Sequence, residues 1–347
     1  MEHYAGIDVS LECSSVCVVD ASGKIVREDK VASEPAALLA WFGSLGFGLA
    51  RIGLEAGPLS QWLYAGMREA GLAVELLETR HVRDAFKAMP VKSDRNDARG
   101  IAQLMRLGWF RPVHCKSIPA QEVRALLTAR KLIQSKLHDI EMSLRGTLRG
   151  FGLKVGPTTP KRFAARIRAL VAGQATLEIV ASSLLAVHEV LLREFGNFEK
   201  LVRTMARDDD RVRLLMSAPG VGAIVALTYV SAVDDPKRFK SSKAVGAHFG
   251  LTPKKYQSGE TDVSGRISKI GDAGVRTALY EAAHIILTRP VKGCGLKSWA
   301  ARLARRAGMK KAKVALARKL AVILHRMWVD GTSFAFTTPR TVAAVAA

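Results

Sequence analysis

Four carboxylates in the first hundred residues fall where they could act together. Asp8 stands in Gly6-Ile7-Asp8-Val9-Ser10, Glu55 closes the apolar run Ile52-Gly53-Leu54, and Asp94 and Asp97 sit in Lys92-Ser93-Asp94-Arg95-Asn96-Asp97. A spacing of three puts two side chains on one face of a helix. Four such groups in one place repel one another unless cations neutralise them. Hard oxygen donors select Mg²⁺ or Mn²⁺, and two ions roughly 3.5–4 Å apart can hold the attacking and leaving oxygens of a phosphoryl transfer. Each acid alone has a plainer reading, as a helix cap or the partner of a surface arginine; Asp97 could simply pair with Arg95 or Arg99. It is the order that favours chemistry: strand Asp, strand Glu, then Asp-x-x-Asp, ahead of a basic chain.

The elements that must position these acids are legible in the pattern. Residues 3–9, 14–20 and 25–31 read as strands, with Ala21-Ser22-Gly23-Lys24 as a turn. In the first strand Gly6, Asp8 and Ser10 project to one side, Ala5, Ile7 and Val9 to the other. A helix over 35–44 with Pro35 in its first turn, a buried strand over 51–55, a helix over 58–70 closed by Gly71, a strand over 73–78 and helical pieces around 82–88 and 94–107 follow. Three antiparallel strands and then alternating helix and strand make an α/β domain with one mixed sheet. That order resembles the ribonuclease-H-like fold, in which strands one and four lie side by side, bringing Asp8 and Glu55 together under the Asp94/Asp97 face.

Charge divides the chain. Residues 1–110 carry a net −2, whereas residues 111–347 carry +24 of the total +22. A near-neutral domain followed by a cationic remainder points to a polyanion, with nucleic acid the favoured partner. With 48% hydrophobic residues the chain can bury real cores. Cys13, Cys17, Cys115 and Cys294 are too few and scattered for a disulfide scaffold and read as thiols in a reducing compartment. Met1-Glu2-His3 leads straight into a strand, so no signal peptide is expected. The uncharged stretch 214–233 has the length of a membrane span. Pro219, Gly220 and Gly222 interrupt it, favouring a buried turn between helices and no membrane.

Beyond Pro119, Ile133, Leu137, Ile140 and Leu144 alternate spacings of four and three, extended by Leu126 and Leu148. This is a coiled-coil-like helix of about thirty residues, which predicts at least a dimer. A second helical stretch covers 177–205, and Asp208-Asp209-Asp210 marks a boundary. The segment Ser217-Ala218-Pro219-Gly220-Val221-Gly222 resembles a helix-hairpin-helix turn, where Gly220 and Gly222 would let backbone N–H groups approach a phosphate; a tight interhelical turn without ligand fits equally well. Residues 297–326 hold ten Lys/Arg and no acid, with Leu316, Leu320, Ile323, Leu324 and Met327 striping one face. That is a helix packed inward through its stripe and meeting nucleic acid through its basic side.

Downstream stand Ala247-His248-Phe249-Gly250-Leu251-Thr252-Pro253, Tyr256-Gln257-Ser258-Gly259-Glu260, and Gly265-Arg266-Ile267-Ser268-Lys269-Ile270-Gly271-Asp272 before Val275-Arg276. With the N-terminal acids, these make the chain resemble a transposase of the DEDD type, the insertion-sequence one-ten family, whose relatives include the Piv site-specific invertase. The resemblance implies a RuvC-like nuclease domain over 1–110, a helical coiled-coil connector over 111–207, a mainly helical C-terminal transposase domain over 208–335 and a flexible tail over 336–347. It implies that Asp8, Glu55, Asp94 and Asp97 bind Mg²⁺ or Mn²⁺, as two ions, and that Ser258 is the nucleophile, with Ser264 and Ser268 close by. Arg266, Lys269 and Arg276 are candidate phosphate contacts. It further implies donor and target DNA and a structured guide RNA as partners, a tetramer in synapsis, and a cytoplasmic, nucleoid-associated bacterial protein. The alternatives are a RuvC-like endonuclease cutting branched DNA by water attack, and an RNA-binding assembly protein with a degenerate nuclease domain.

Overall fold

The computed structural model describes residues 2–88, 91–291 and 293–336. The expected tail, from 337 onward, lies outside them. The chain separates into two compact units, Met1–Lys116 and Ser117–Ala347; the first takes in residues 111–116 of the expected connector, and the second holds the rest of it together with the transposase region.

The first unit is built on a five-stranded sheet ordered β3-β2-β1-β4-β5. Its strands are β1 (His3–Asp8), β2 (Cys13–Asp20), β3 (Ile25–Ala32), β4 (Arg51–Glu55) and β5 (Val74–Leu77). The first three are antiparallel neighbours, and β4 and β5 run parallel to β1. The helices are α1 (Pro35–Gly43), α2 (Ser60–Glu69), α3 (Thr79–Ala85) and α4 (Asp94–Leu107). Strand alternation sorts the core: Ala5 and Ile7 pack with Leu38, Phe42, Leu63 and Met67 of α1 and α2. Tyr4, Cys17 and Val19 face Ile101 and Met105 of α4. The mixed sheet and the adjacency of β1 and β4 are as expected.

The second unit is mostly helical: α5 (Ile118–Gly150), α6 (Pro160–Val171), α7 (Ala175–Asp208), α8 (Asp210–Met216), α9 (Ala223–Val233), α10 (Ser242–His248), then β6 (Pro253–Ser258) and β7 (Thr261–Ile267), and finally α11 (Ala273–Thr288), α12 (Gly295–Ala307) and α13 (Met309–Asp330). The leucine seam of α5 is used inside the chain, where Leu144 and Leu148 pack with Phe163 and Ile167 of α6 and Leu177, Ala181 and Leu185 of α7. The uncharged stretch 214–233 lies in a separate core, where Leu215, Val221, Ala226 and Tyr229 pack against α11 and α13. One described helix, α7, is long and apolar enough by length and composition to cross a membrane. Helix α6 and the antiparallel β6–β7 hairpin are additions to the sequence reading. Every position of β6 is exposed, so no burial alternation announces it.

Candidate active site

Two glycines decide how α4 lies on the sheet. Gly6 of β1 and Gly53 of β4 are directly paired, and the absent side chains leave a trough across two strands. A methyl at Gly6 would overlap the backbone of Ala98 and Ala102, and one at Gly53 would come within 2.8 Å of the Met105 side chain. The helix therefore rests almost on the strand backbone. Asp8 and Glu55 lie two residues beyond these glycines, on the same face, each ending its strand.

The first turn of α4 brings the other two acids. Ser93 caps it, accepting from the Asn96 N–H at 3.3 Å, and Asp94 and Asp97 both lie in that turn. The N-terminal end of a helix carries partial positive charge and suits anions. Arg95 and Arg99 turn away to Glu28 of β3, with Arg95 Nε at 2.8 Å and Arg99 Nη2 at 2.9 Å from Oε2. Hydrogen bonds from Arg99 foremost hold the Glu28 carboxyl down at about 2. The plainer partners that sequence offered Asp97 are thus committed elsewhere.

The four acids feel one another. Burial first, and then the charges of Asp97, Asp94 and Glu55, push the Asp8 carboxyl up to about 6, against a smaller pull from Lys92. Glu55 is also raised, by burial above all; the Thr79 hydroxyl pulls it down, Asp97 pushes it up and Lys92 opposes. Asp8 and Glu55 line an open groove of about 350 Å³ with Ser10, Gly57 and Pro58. Among the described residues no three His, Cys, Asp or Glu side chains are drawn together tightly enough to hold a metal ion as they stand. The donor set nevertheless suits a hard divalent cation: all oxygen, on rigid strand ends and a helix start, and mutually repelling without a counter-ion.

Serines that sequence reasoning left unassigned hold the strand ends. Buried Ser60 donates to the Glu55 carbonyl at 2.5 Å and accepts from the Gly57 N–H at 3.1 Å, fixing the turn after Glu55. Buried Ser33 donates to the Ser10 carbonyl at 2.7 Å and meets Ser14 Oγ at 2.8 Å, fixing the loop after Asp8. The signal was faint: serine where an apolar residue would otherwise pack. Lys92, the counter-charge to Asp8 and Glu55, was visible only as part of the motif.

In the second unit, Ser258 ends β6 opposite Thr261, exposed at the hairpin tip beside Gly259, whose φ is +55°. Ser264 is exposed in β7, whereas Ser268 is tied back, its N–H donating to the Thr252 carbonyl at 2.8 Å. The hairpin base is locked by close backbone approach. A methyl at Gly250 would overlap Ile270, and one at Gly271 would overlap the His248 carbonyl. Arg276 donates to the carbonyls of Gly271 at 2.8 Å and Phe249 at 3.2 Å, so its guanidinium positions this base. Arg266 and Lys269 are exposed. Gly220, with φ of +74°, lies against the Ala282 carbonyl of α11 at a distance no side chain tolerates, the packing expected of a tight interhelical turn. Gly222 is exposed at the start of α9.

The description Transposase IS116/IS110/IS902 family matches residues 212–293, and a DEDD transposase model matches residues 5–152. The transposase for insertion sequence element IS1111A of Coxiella burnetii is 31% identical over 329 residues, covering 92% of this chain and 87% of that protein. The chain belongs to the IS116/IS110/IS902 transposase family. A probable family 20 transposase of Pseudomonas aeruginosa is 27% identical over 79% of the chain and 82% of its own length. Among solved structures, Thermus thermophilus RuvC in complex with a Holliday junction substrate aligns to 33% of the chain and 100% of its own, at 16% identity and a TM-score of 0.27, too low to bear on function. Membership in this family makes the chain a transposase, an enzyme that cuts and rejoins DNA.

Proposed function

We propose that this transposase is a recombinase whose chemistry is shared between the acids of its first unit and Ser258 of its second. The observation that carries the reading is the gathering of Asp97, Asp94 and Glu55 around a half-buried Asp8, whose carboxyl is raised to about 6 by burial first and by their charges next. Asp8, Glu55, Asp94 and Asp97 would hold Mg²⁺ or Mn²⁺, as two ions. Bound there, divalent ions neutralise the scissile phosphate and stabilise charge on its oxygens. A serine hydroxyl is a weak nucleophile at neutral pH and needs activation. In the proposed step the Ser258 Oγ–P bond forms as the P–O3′ bond breaks. The hydroxyl proton departs to base or water, and the 3′ oxygen leaves as a hydroxyl after taking up a proton. The phosphoserine link conserves the bond energy for rejoining.

Exposure of Ser258 at a hairpin tip supports delivery to a DNA backbone, and in this reading the exposed Arg266, Lys269 and Gly222 would contact phosphate. Arg276 acts there by positioning. Target choice in this reading is delegated to base pairing with a structured guide RNA, a division of labour known in other RNA-guided systems. Synapsis of two duplexes calls for a homo-oligomer, a tetramer at full assembly.

Recombination of a donor and target plasmid pair, with the element's RNA supplied, tests the proposal. Asp8→Asn and Ser258→Ala should each abolish exchange while DNA binding persists, and a suicide substrate should trap an adduct on Ser258. Cleavage without any adduct, undiminished in Ser258→Ala, would establish water attack instead.

A further inference from the structure

A large recess in the second unit lies outside the residues assigned above, except at one edge. It is a groove of about 1040 Å³ between the base of the β6–β7 hairpin, α12 and α13. That is the upper end of small-molecule pockets, about 300–1,000 Å³. Its rim carries Arg266, Lys269, Lys310, Lys311, Arg318 and Lys319, and no carboxylate lines it. Its floor is apolar: Ile267, Trp299, Val314 and Val322. Trp299 is half-buried, with the Lys319 ammonium 4.3 Å from its ring centroid.

The helix periodicity of α13 builds this surface. Leu316, Leu320 and Leu324 are fully buried in the core. Lys311, Val314, Ala315, Arg318 and Val322, spaced by three and four, form a second stripe along the groove. An apolar floor ringed by cations matches an unpaired nucleic-acid strand, which offers phosphates to the rim and the flat face of a base to an aromatic ring. A duplex keeps its bases stacked and paired inside and offers the floor nothing. An acidic peptide could satisfy the rim, but a half-exposed tryptophan ring with an ammonium over its face is a platform that a base occupies once that lysine turns to a phosphate.

We propose that this groove binds a single, unpaired nucleic-acid strand, with a base stacked on Trp299 and backbone phosphates held by Lys311, Arg318 and Lys319. The inference rests on the recombinase reading only for the biological meaning of such a strand. RNA and DNA share the chemistry, and the test separates them.

Full-length protein in metal-free buffer is titrated with fluorescent oligo-U and oligo-dT of about twelve nucleotides, within the range of single-strand sites, and with a duplex of equal length. Trp299→Ala should weaken single-strand binding about tenfold, with duplex affinity changed less than about twofold. Trp299 also packs on the core, so Arg318→Gln/Lys319→Gln, at exposed positions, provides the second arm. It should weaken single-strand binding about tenfold and flatten the log K against log salt slope by about 1.4. The tighter of the two strands names the source. Photo-crosslinks from thio-substituted bases should fall on the peptide bearing Trp299. Equal loss for duplex and single strand, crosslinks confined elsewhere, or polyglutamate competing as well as oligo-dT would overturn the inference. Asp8→Asn and Ser258→Ala should bind both strands normally, so failure of the recombinase reading would leave this result intact, and the reverse holds as well.

Discussion

At the scale of single residues, Asp8 is the group on which the site turns. Its carboxyl titrates near 6 in the folded chain against 3.8 when free. A raised carboxylate favours the fold when protonated, so its contribution is complete below its free value and disappears as pH climbs through about 6. In chelator, wild-type protein should therefore gain melting temperature relative to Asp8→Asn as pH falls from about 7 towards 4. Added Mg²⁺ should reverse the comparison at neutral pH, because the cation supplies what the proton supplied. A pH-independent difference between the two proteins would mean that Asp8 is not crowded by its neighbours. Ser60 is testable without any chemistry. Ser60→Ala removes both the bond to the Glu55 carbonyl and the one from the Gly57 N–H and should cost about 1 kcal/mol in urea unfolding, with cleavage falling as Glu55 loses its fixed turn.

At the scale of elements, α4 is set by what the strands lack. Gly6→Ala must push backbone against backbone and should cost about 1–3 kcal/mol or more. It should also lower cleavage at least as far as an acid substitution, because the Asp94/Asp97 turn moves away from Asp8. Gly53→Ala meets only the pliable Met105 and Ile101 side chains and should be milder on both counts. Strand and helix order, and the shared face of Asp94 and Asp97, could be read from alternation and spacing, which are local; the meeting of these acids with Asp8 and Glu55 came only from the resemblance of that order to a ribonuclease-H-like sheet. The trough could not, because nothing near Gly6 announces that it will be paired with Gly53. The β6–β7 hairpin escaped for a related reason: its residues are exposed on both faces, so hydropathy has no period there. Helix α6 went unread although Phe163, Ile167 and Val171 recur every fourth residue, because glycines and Pro157 just before it interrupt the preceding helical pattern.

At the scale of the whole molecule, charge and assembly decide behaviour. With +24 concentrated beyond residue 110, affinity for DNA should fall steeply with salt, each neutralised phosphate removing about 0.9 from the log–log slope on duplex. A flat plot would contradict the electrostatic reading. The α5 seam is spent within the chain, yet α7 keeps a second apolar stripe of Ile179, Val180, Val187, Val190 and Leu201, with Ile179 67% exposed. At 100° per residue these five fall within about a third of the helix circumference, away from the face that holds Leu177, Ala181 and Leu185. We expect a second copy to cover them. Light scattering should give a dimer or larger for the wild type, and Val187→Lys/Val190→Lys should reduce the mass to that of one chain.

The pair of bare positions under α4 also bears on how dormant copies of such an element are recognised. A gene whose four acids and Ser258 are all spelled correctly would pass for live, yet one extra methyl group at residue 6 would silence its product. The vacant space beneath a helix is as necessary as any reactive atom, and a survey that scores only the reactive atoms would count the mute among the working.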